Sequence, residues 1–278
     1  AADGDGDGDA AAALQLRADG RETLGAFLGR VEATLGGTAA GNIRLRRAAR
    51  GAHLKGDDLP IGEGGHGLTD GSTVHVEEGK PLAADELLFR AYRTVPADGA
   101  AAATADGDAA AADELAERVA PQVVCEVRLR QSLKVADLKA ALAPHFAGAE
   151  GAAARLRLYK RSGKTVGAVL RDGRALRQAF TGGFDDKEVA VQELSRDEQL
   201  GDDALLLRWQ RIGADGAPGA AATLVARGGW APAELLDALA AASALPRAAL
   251  SVAKPPTVGA KALTTTLLAK LKWDDAKL

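Results

Sequence analysis

At 278 residues with 47% hydrophobic content, the chain is long enough for one large domain or two to three small ones. A formal net charge of −3 supplies no global basic field, which argues against nucleic acid and against an anionic membrane as partners. The single cysteine excludes an intramolecular disulfide framework and predicts a reducing, cytoplasmic setting; no run of about 18 apolar residues marks a membrane span. The opening Ala1-Ala2-Asp3-Gly4 has neither the charged nor the apolar region of a secretory signal, and the absence of methionine predicts an internal piece of a longer polypeptide.

In chain order, residues 1–13 read as an acidic flexible tail. The run Asp3-Gly4-Asp5-Gly6-Asp7-Gly8 has the rhythm of a calcium loop, but its twelfth position is Leu14 where a bidentate glutamate is needed, so the tail reads as solvated. A first unit is expected over 14–82. Leu14–Arg17 reads as a short strand and Thr23 as an N-cap, followed by Leu24, Phe27 and Val31 at the i, i+3, i+7 spacing of one helix stripe. Gly36-Gly37 ends that helix, Ile43–Arg46 is the next strand, and a glycine-rich connection leads through Asp70-Gly71 to a strand over Ser72–Val76. The opening strand of this unit is missing, and is expected upstream of residue 1.

The second unit, 83–194, has the fullest pattern. Leu87–Tyr92 is an apolar-rich strand, and Val123, Cys125, Val127 and Leu129 alternate with polar or exposed positions as in a strand with one buried face. Between them lies an Ala/Gly/Asp-rich insertion, expected to be disordered over about 96–112, in which Asp113–Ala120 has the length of two helical turns but is too short to be stable alone. Val135, Leu138 and Leu142 repeat the helix stripe; Leu156–Tyr159 is a strand; an irregular stretch holding Asp172-Gly173 leads to a last strand at Glu188–Val191. The third unit, 195–278, repeats the opening: strands at Leu205–Trp209 and Ala222–Val225, a helix from Pro232 through Leu235 and Leu239, and a strand at Leu250–Val252. It ends before a closing strand. Each closing strand passes through a short link into the next opening strand, so the array is expected to be stiff or bent.

Hairpin, helix, strand, irregular connection, strand is the order of an α+β ubiquitin-like β-grasp domain, a mixed sheet packed on one helix. The stretches VHVEEGKPLAADELLFRAYR, EVAVQEL…DDALLLRW and LSVAKPP…LLAKLKWDD resemble the tandem ubiquitin-like arrays of large ubiquitin-specific proteases, the papain-like deubiquitinases. The Gly-Asn-Thr-Cys box and the His-containing motif of the catalytic domain are not in the sequence, so the resemblance implies a regulatory or docking array whose partners are proteins, the parent's own catalytic domain among them. The alternative is a scaffold whose ubiquitin-like domains dock into a large cytoskeletal or ciliary assembly.

No residue pattern points to catalysis, a cofactor or a metal. Cys125 shares a strand face with Val123 and Val127 and reads as a small core residue. His53, His66, His75 and His145 show no metal spacing, and Gly62–Gly67 lacks the Lys-Ser/Thr of a phosphate loop. Two basic strands remain as candidate protein-interaction sites. Arg44 and Arg46 share one face of the first unit's strand, and Arg155 and Arg157 share one face of the matching strand in the second. Such a face is either a solvated exterior or a site for an acidic partner, and without interleaved aromatics it does not suit RNA. Arg157, opposite Leu156 and Leu158, is expected at the surface and tolerant of charge reversal, whereas Leu138 is expected in the core.

Overall fold

The structure is a computed structural model that describes residues 15–36, 41–48, 51–96, 116–146, 152–182, 186–212 and 218–250. The acidic tail, most of the expected disordered insertion and the third unit's later strand beyond Leu250 lie outside the described residues. The fold is α+β, with few helices and a mixed multi-strand sheet. Two compact units divide it, the first ending at Glu86 and the second beginning at Leu87. The elements expected of the second and third units thus share one compact unit.

The first unit is built on helix α1 (Leu24–Thr34) and the antiparallel pair β1 (Ile43–Arg46) and β2 (His75–Glu78). Thr23 caps the helix, its Oγ1 accepting from the Ala26 amide at 3.3 Å, and Gly36 takes a positive φ of 84° just past the helix end. Leu24, Phe27, Leu28 and Val31 face Ile43 and Leu45, with Leu54 and Ile61 folding over from the connection. Residues 15–17 are not a strand, contrary to the sequence reading; Leu16 packs against this core without a sheet partner among the described residues.

In the second unit, β3 (Glu86–Pro96) lies parallel to β7 (Asp186–Glu193), from Leu88↔Asp186 to Arg93↔Val191. On its other side β7 pairs antiparallel with β5 (Leu156–Ser162), which pairs with β6 (Thr165–Val169) around Gly163. Strand β4 (Ala116–Arg130) flanks β3, and its first residues reach β6 at Arg118↔Thr165, closing the sheet into a ring. Helix α2 (Val135–Phe146) crosses one face, burying Val135, Leu138 and Leu142 against Phe89, Leu156, Leu158, Val189 and Val191. The single-turn helix α3 (Leu176–Ala179) closes this core, with Phe180 edge-on to Phe89 at 5.2 Å.

Two sequence readings change here, and α2 extends beyond the stripe of Val135, Leu138 and Leu142. Ala116–Ala120 is strand, not helix: the Val119 amide donates to the Lys164 carbonyl at 3.0 Å, and its side chain is buried on the sheet face opposite α2. Two helical turns bury too little to compete with that pairing. Helix α2 runs past Pro144 to Phe146, because Phe146 completes the core. The irregular stretch after Tyr159 contains β6 and α3. A final layer follows: β8 (Ala204–Ile212) and β9 (Pro218–Arg227) form an antiparallel hairpin, and α4 (Pro232–Ser243) packs Leu235 and Leu239 against Leu224. Leu250 follows a short 3-10 turn and is not strand.

Leu138 has no exposed surface, and a carboxylate there has no partner and no water. Leu138→Asp is expected to cost at least about 3 kcal/mol and to lower the urea midpoint of the second unit, followed by circular dichroism and by amide exchange in β5 and β7.

Candidate functional site

Strand β5 alternates its side chains between two covered faces. Leu156 and Leu158 point toward α2; Arg157 and Tyr159 point the other way, with Gln192 and Ala190 of β7 and Tyr92 of β3 beside them. That second face is not solvent. Tyr92, Val119, Tyr159 and Ala190 form a small core there, and Leu206 of β8 packs against it. The β8–β9 hairpin has two working faces as well: Leu207, Trp209 and Leu224 meet α4, while Leu206 and Thr223 meet the β5–β7 face.

Arg157 stands at the centre of this contact, only 1% exposed. Its Nε donates to Glu198 Oε1 at 2.8 Å and its Nη2 to Glu198 Oε2, a two-pronged pairing with one carboxylate. Nη1 donates to Thr223 Oγ1 at 2.7 Å and lies 3.3 Å from Gln192 Oε1 and 3.4 Å from the Tyr159 hydroxyl. Tyr159 in turn donates to Gln192 at 2.9 Å. Burial works against the charge, but the bonds and charge of Glu198, with Tyr159 adding, outweigh it and hold the guanidinium protonated. Four chain segments meet on one side chain: β5, β7, the link after β7, and β9.

The link itself is fastened along its length. Leu194 and Glu198 donate backbone bonds to Arg155 and Ala154 at 2.8 and 2.7 Å. Asp172 and Leu200 exchange two bonds: the Asp172 amide donates to the Leu200 carbonyl, and the Leu200 amide donates to Asp172 Oδ2, each at 2.8 Å. Lys139 of α2, itself buried, places Nζ 2.6 Å from Asp172 Oδ1. A shallow cleft of about 340 Å³ lies along this seam between Lys139, Asp172 and Glu198. The carboxylates and the ammonium that line it already hold one another or the fold, so it is a seam and not a binding pocket.

The four sequence-predicted arginines therefore separate. Only Arg155 is at the surface, in an exposed pair with Asp197 at 3.1 Å. Arg44, Arg46 and Arg157 are buried, which corrects the expected solvent-facing strands. In the first unit, Glu77 of β2 sits opposite Arg44, with Oε2 3.1 Å from Arg44 Nε and Oε1 2.6 Å from Arg46 Nε. The Arg44 guanidinium lies over Gly79, where a Cβ would come within 2.7 Å of Nη1 at a backbone φ of 131° that also favours glycine. Burial pushes the Glu77 carboxyl up, but hydrogen bonds from Arg46 and Arg44 and their charges prevail and lower it.

Cys125 is half-buried, and burial followed by the Glu126 charge pushes its thiol up to about 11, the opposite of an activated nucleophile. His53 and His66 are buried and His75 and His145 exposed; among the described residues no group of three His, Cys, Asp or Glu side chains is placed to hold a metal ion. No helix among the described residues is long and apolar enough to cross a membrane. Tyr92 accepts the Arg161 guanidinium over its ring at 3.7 Å and donates to Glu188 at 2.9 Å, whereas Trp209 packs on the α4 side of the hairpin. The chain matches no protein-family model and no curated protein.

Removing Arg157 strands a nearly buried Glu198 carboxylate along with Thr223 and Gln192. Arg157→Ala is expected to destabilise the second unit by about 3–5 kcal/mol in urea titration and to raise amide exchange in β8 and β9 more than in α2. Arg157→Asp, which a solvent-facing strand would tolerate, is expected to be worse.

The first unit carries its own acid sensitivity. Burial, opposed by a Gly56 backbone bond and aided by the Arg47 charge, holds His66 below its ordinary value of 6.5. The unfolded chain then takes the proton first, so stability falls as pH drops below that value. Glu77, depressed below its ordinary 4.5, contributes stability that is complete above that pH and is lost as pH falls through its folded value. Protection factors of the α1 and β1 amides, taken relative to intrinsic exchange at each pH, are expected to fall in two steps on acidification, and His66→Gln to flatten the upper one.

Proposed function

We propose that this chain is a non-catalytic array of ubiquitin-like β-grasp modules that works as a rigid protein-interaction and regulatory platform, of the kind found in the non-catalytic region of ubiquitin-specific proteases. Support for the module comes from the second unit: a parallel central pair β3–β7, flanked by β4 on one side and by β5 and β6 on the other, with α2 across one face. The first unit's α1, β1 and β2 follow the later part of that order, and the β8–β9–α4 sequence follows its beginning. Support for the family comes from the junction sequences quoted above.

The observation that carries the platform reading is the Arg157 junction. A module joined by a free linker presents its sheet face to whatever partner arrives; here the next hairpin occupies that face, and a buried charge network fixes it. Partners of the second unit then meet a composite surface formed by the sheet and the hairpin together. The half-buried Cys125 with its raised thiol is not set up as a cysteine nucleophile, which supports the non-catalytic reading.

Two measurements on the whole chain test this. With a fluorogenic ubiquitin substrate, turnover is expected to be absent and unchanged by Cys125→Ala; turnover dependent on Cys125 would overturn the non-catalytic reading. In NMR relaxation, amides of β5–β7 and β8–β9 are expected to share one correlation time. Separate correlation times in the unmodified protein would replace the platform with a flexible tether.

A further inference from the structure

Arg44, Arg46 and Arg157 are consumed internally, which moves the question of an acidic partner to cations that have no such role. Three stand together where the β4–α2 connection meets the segment before and within α3. The Leu176 amide donates to the Leu133 carbonyl at 2.7 Å, the Val135 amide to Arg174 at 3.0 Å, and the Arg177 amide to Gln131 at 3.0 Å. Lys134 and Ala175 form an antiparallel bridge within this zipper. Leu176 is fully buried and Leu133 packs against the same core, so their neighbours Lys134, Arg174 and Arg177 are turned outward, and all three are exposed.

Among the described residues, none of these three side chains has an ion pair or a hydrogen bond to a carboxylate. Three carboxylates lie nearby, and two of them have partners in the fold. Asp137 uses Oδ2 to accept from the Lys134 backbone amide at 2.7 Å, and Asp172 is divided between Lys139 and the Leu200 amide. Asp202 lies beyond Gly173, where its backbone carbonyl accepts from Arg171 and its carboxylate flanks the patch as a partial counter-charge. A chain of net charge −3 thus carries one basic surface on a backbone held by cross-bonds, with Gln131, Ser132 and Gln178 as its exposed polar surround.

We propose that this surface, formed by Lys134, Arg174 and Arg177, docks an acidic protein segment. The zipper fixes the backbone positions from which the three cations project, so their spacing is set before binding although each side chain still orders on contact, which favours a short Asp/Glu-rich peptide over a diffuse field. No aromatic residue is exposed between them to stack a base, which disfavours single-stranded nucleic acid. The proposal is independent of the fold-family reading and of the platform reading.

The test is titration of the whole chain with fluorescein-labelled octaglutamate, monitored by anisotropy. Arg174→Glu with Arg177→Glu is expected to raise Kd by about tenfold or more, and a charge-matched control, Arg211→Glu with Arg227→Glu on the β8–β9 hairpin, by about twofold at most. Unchanged dispersion in the NMR spectrum of the double variant shows that it is folded. Equal weakening by both pairs, or no binding by the unmodified chain, would overturn the proposal. So would patch-dependent binding of a labelled oligothymidylate that is tighter than that of the peptide, which would make the surface a nucleic-acid site.

Discussion

A buried guanidinium with one carboxylate is the constraint on which the second unit depends. Transfer of Arg157 out of water costs several kcal/mol on its own, and the cost is offset only when the charge is paired and its remaining donors are filled. The arrangement does both. Glu198 takes two prongs of the planar fork, and Thr223, Gln192 and Tyr159 surround the third. Lysine, with three donors on a point charge, has no way to serve a bidentate carboxylate and a hydroxyl in another direction at these distances. The geometry also orders the chain around it: Glu198 can reach Arg157 only if the link lies along the turn at Ala154, and Thr223 only if β9 crosses the β5–β7 face.

A sheet used on both faces explains the rest of the sequence pattern. Strands β3 and β7 are parallel and covered on both faces at their centres, so Leu87–Phe89 and Val189–Val191 read as short unbroken apolar runs instead of alternating ones. Strand β5 alternates Leu-Arg-Leu-Tyr, which is the signature of a half-exposed strand, but here the polar half contacts a second layer of protein. The first core, under α2, uses aliphatic and aromatic packing alone; the second mixes Tyr92, Tyr159 and Arg157 with a few aliphatics. Polar cores of that kind specify one docking geometry, because a shifted hairpin would leave buried donors unfilled, whereas a purely apolar contact tolerates sliding.

Helices and strands under the α2 and α1 cores were legible in the sequence because they obey local rules: Thr23 caps its helix, Pro232 opens another, and the Val135, Leu138, Leu142 stripe faces a core. What escaped has a physical reason in each case. Strand β6 is five residues long and half-exposed, with Gly167 inside it, so it carries little β signal. The start of β4 follows a long Ala/Gly/Asp run and is strand only because Lys164 and Thr165 come back to meet it. At the candidate site, sequence alternation placed Arg44 and Arg46 on a common face of β1, and Arg155 and Arg157 along one segment, but it does not say whether that face meets water or more protein. One signal was available for Arg157: an acidic residue, Glu198, in a link too short to wander far from the strand that precedes it.

The two arginine strands show how a single register position decides between these outcomes. In the first unit Arg44 of β1 lies directly opposite Glu77 of β2, so the charge and that of Arg46 are met within the sheet by its own neighbouring strand. In the second unit Arg157 of β5 lies directly opposite Gln192 of β7, which offers an amide oxygen and no charge. The deficit has to be made good from outside the strand pair, and Glu198 of the link supplies it. Once there, Glu198 holds the link down, and the hairpin it leads into brings Thr223 to the remaining donor. A carboxylate opposite the arginine makes a self-contained sheet face; an amide at the same place makes a face that must recruit the next segment of chain. The coupling between the β5–β7 sheet and the hairpin that follows it is in this sense written as the difference between a glutamate and a glutamine.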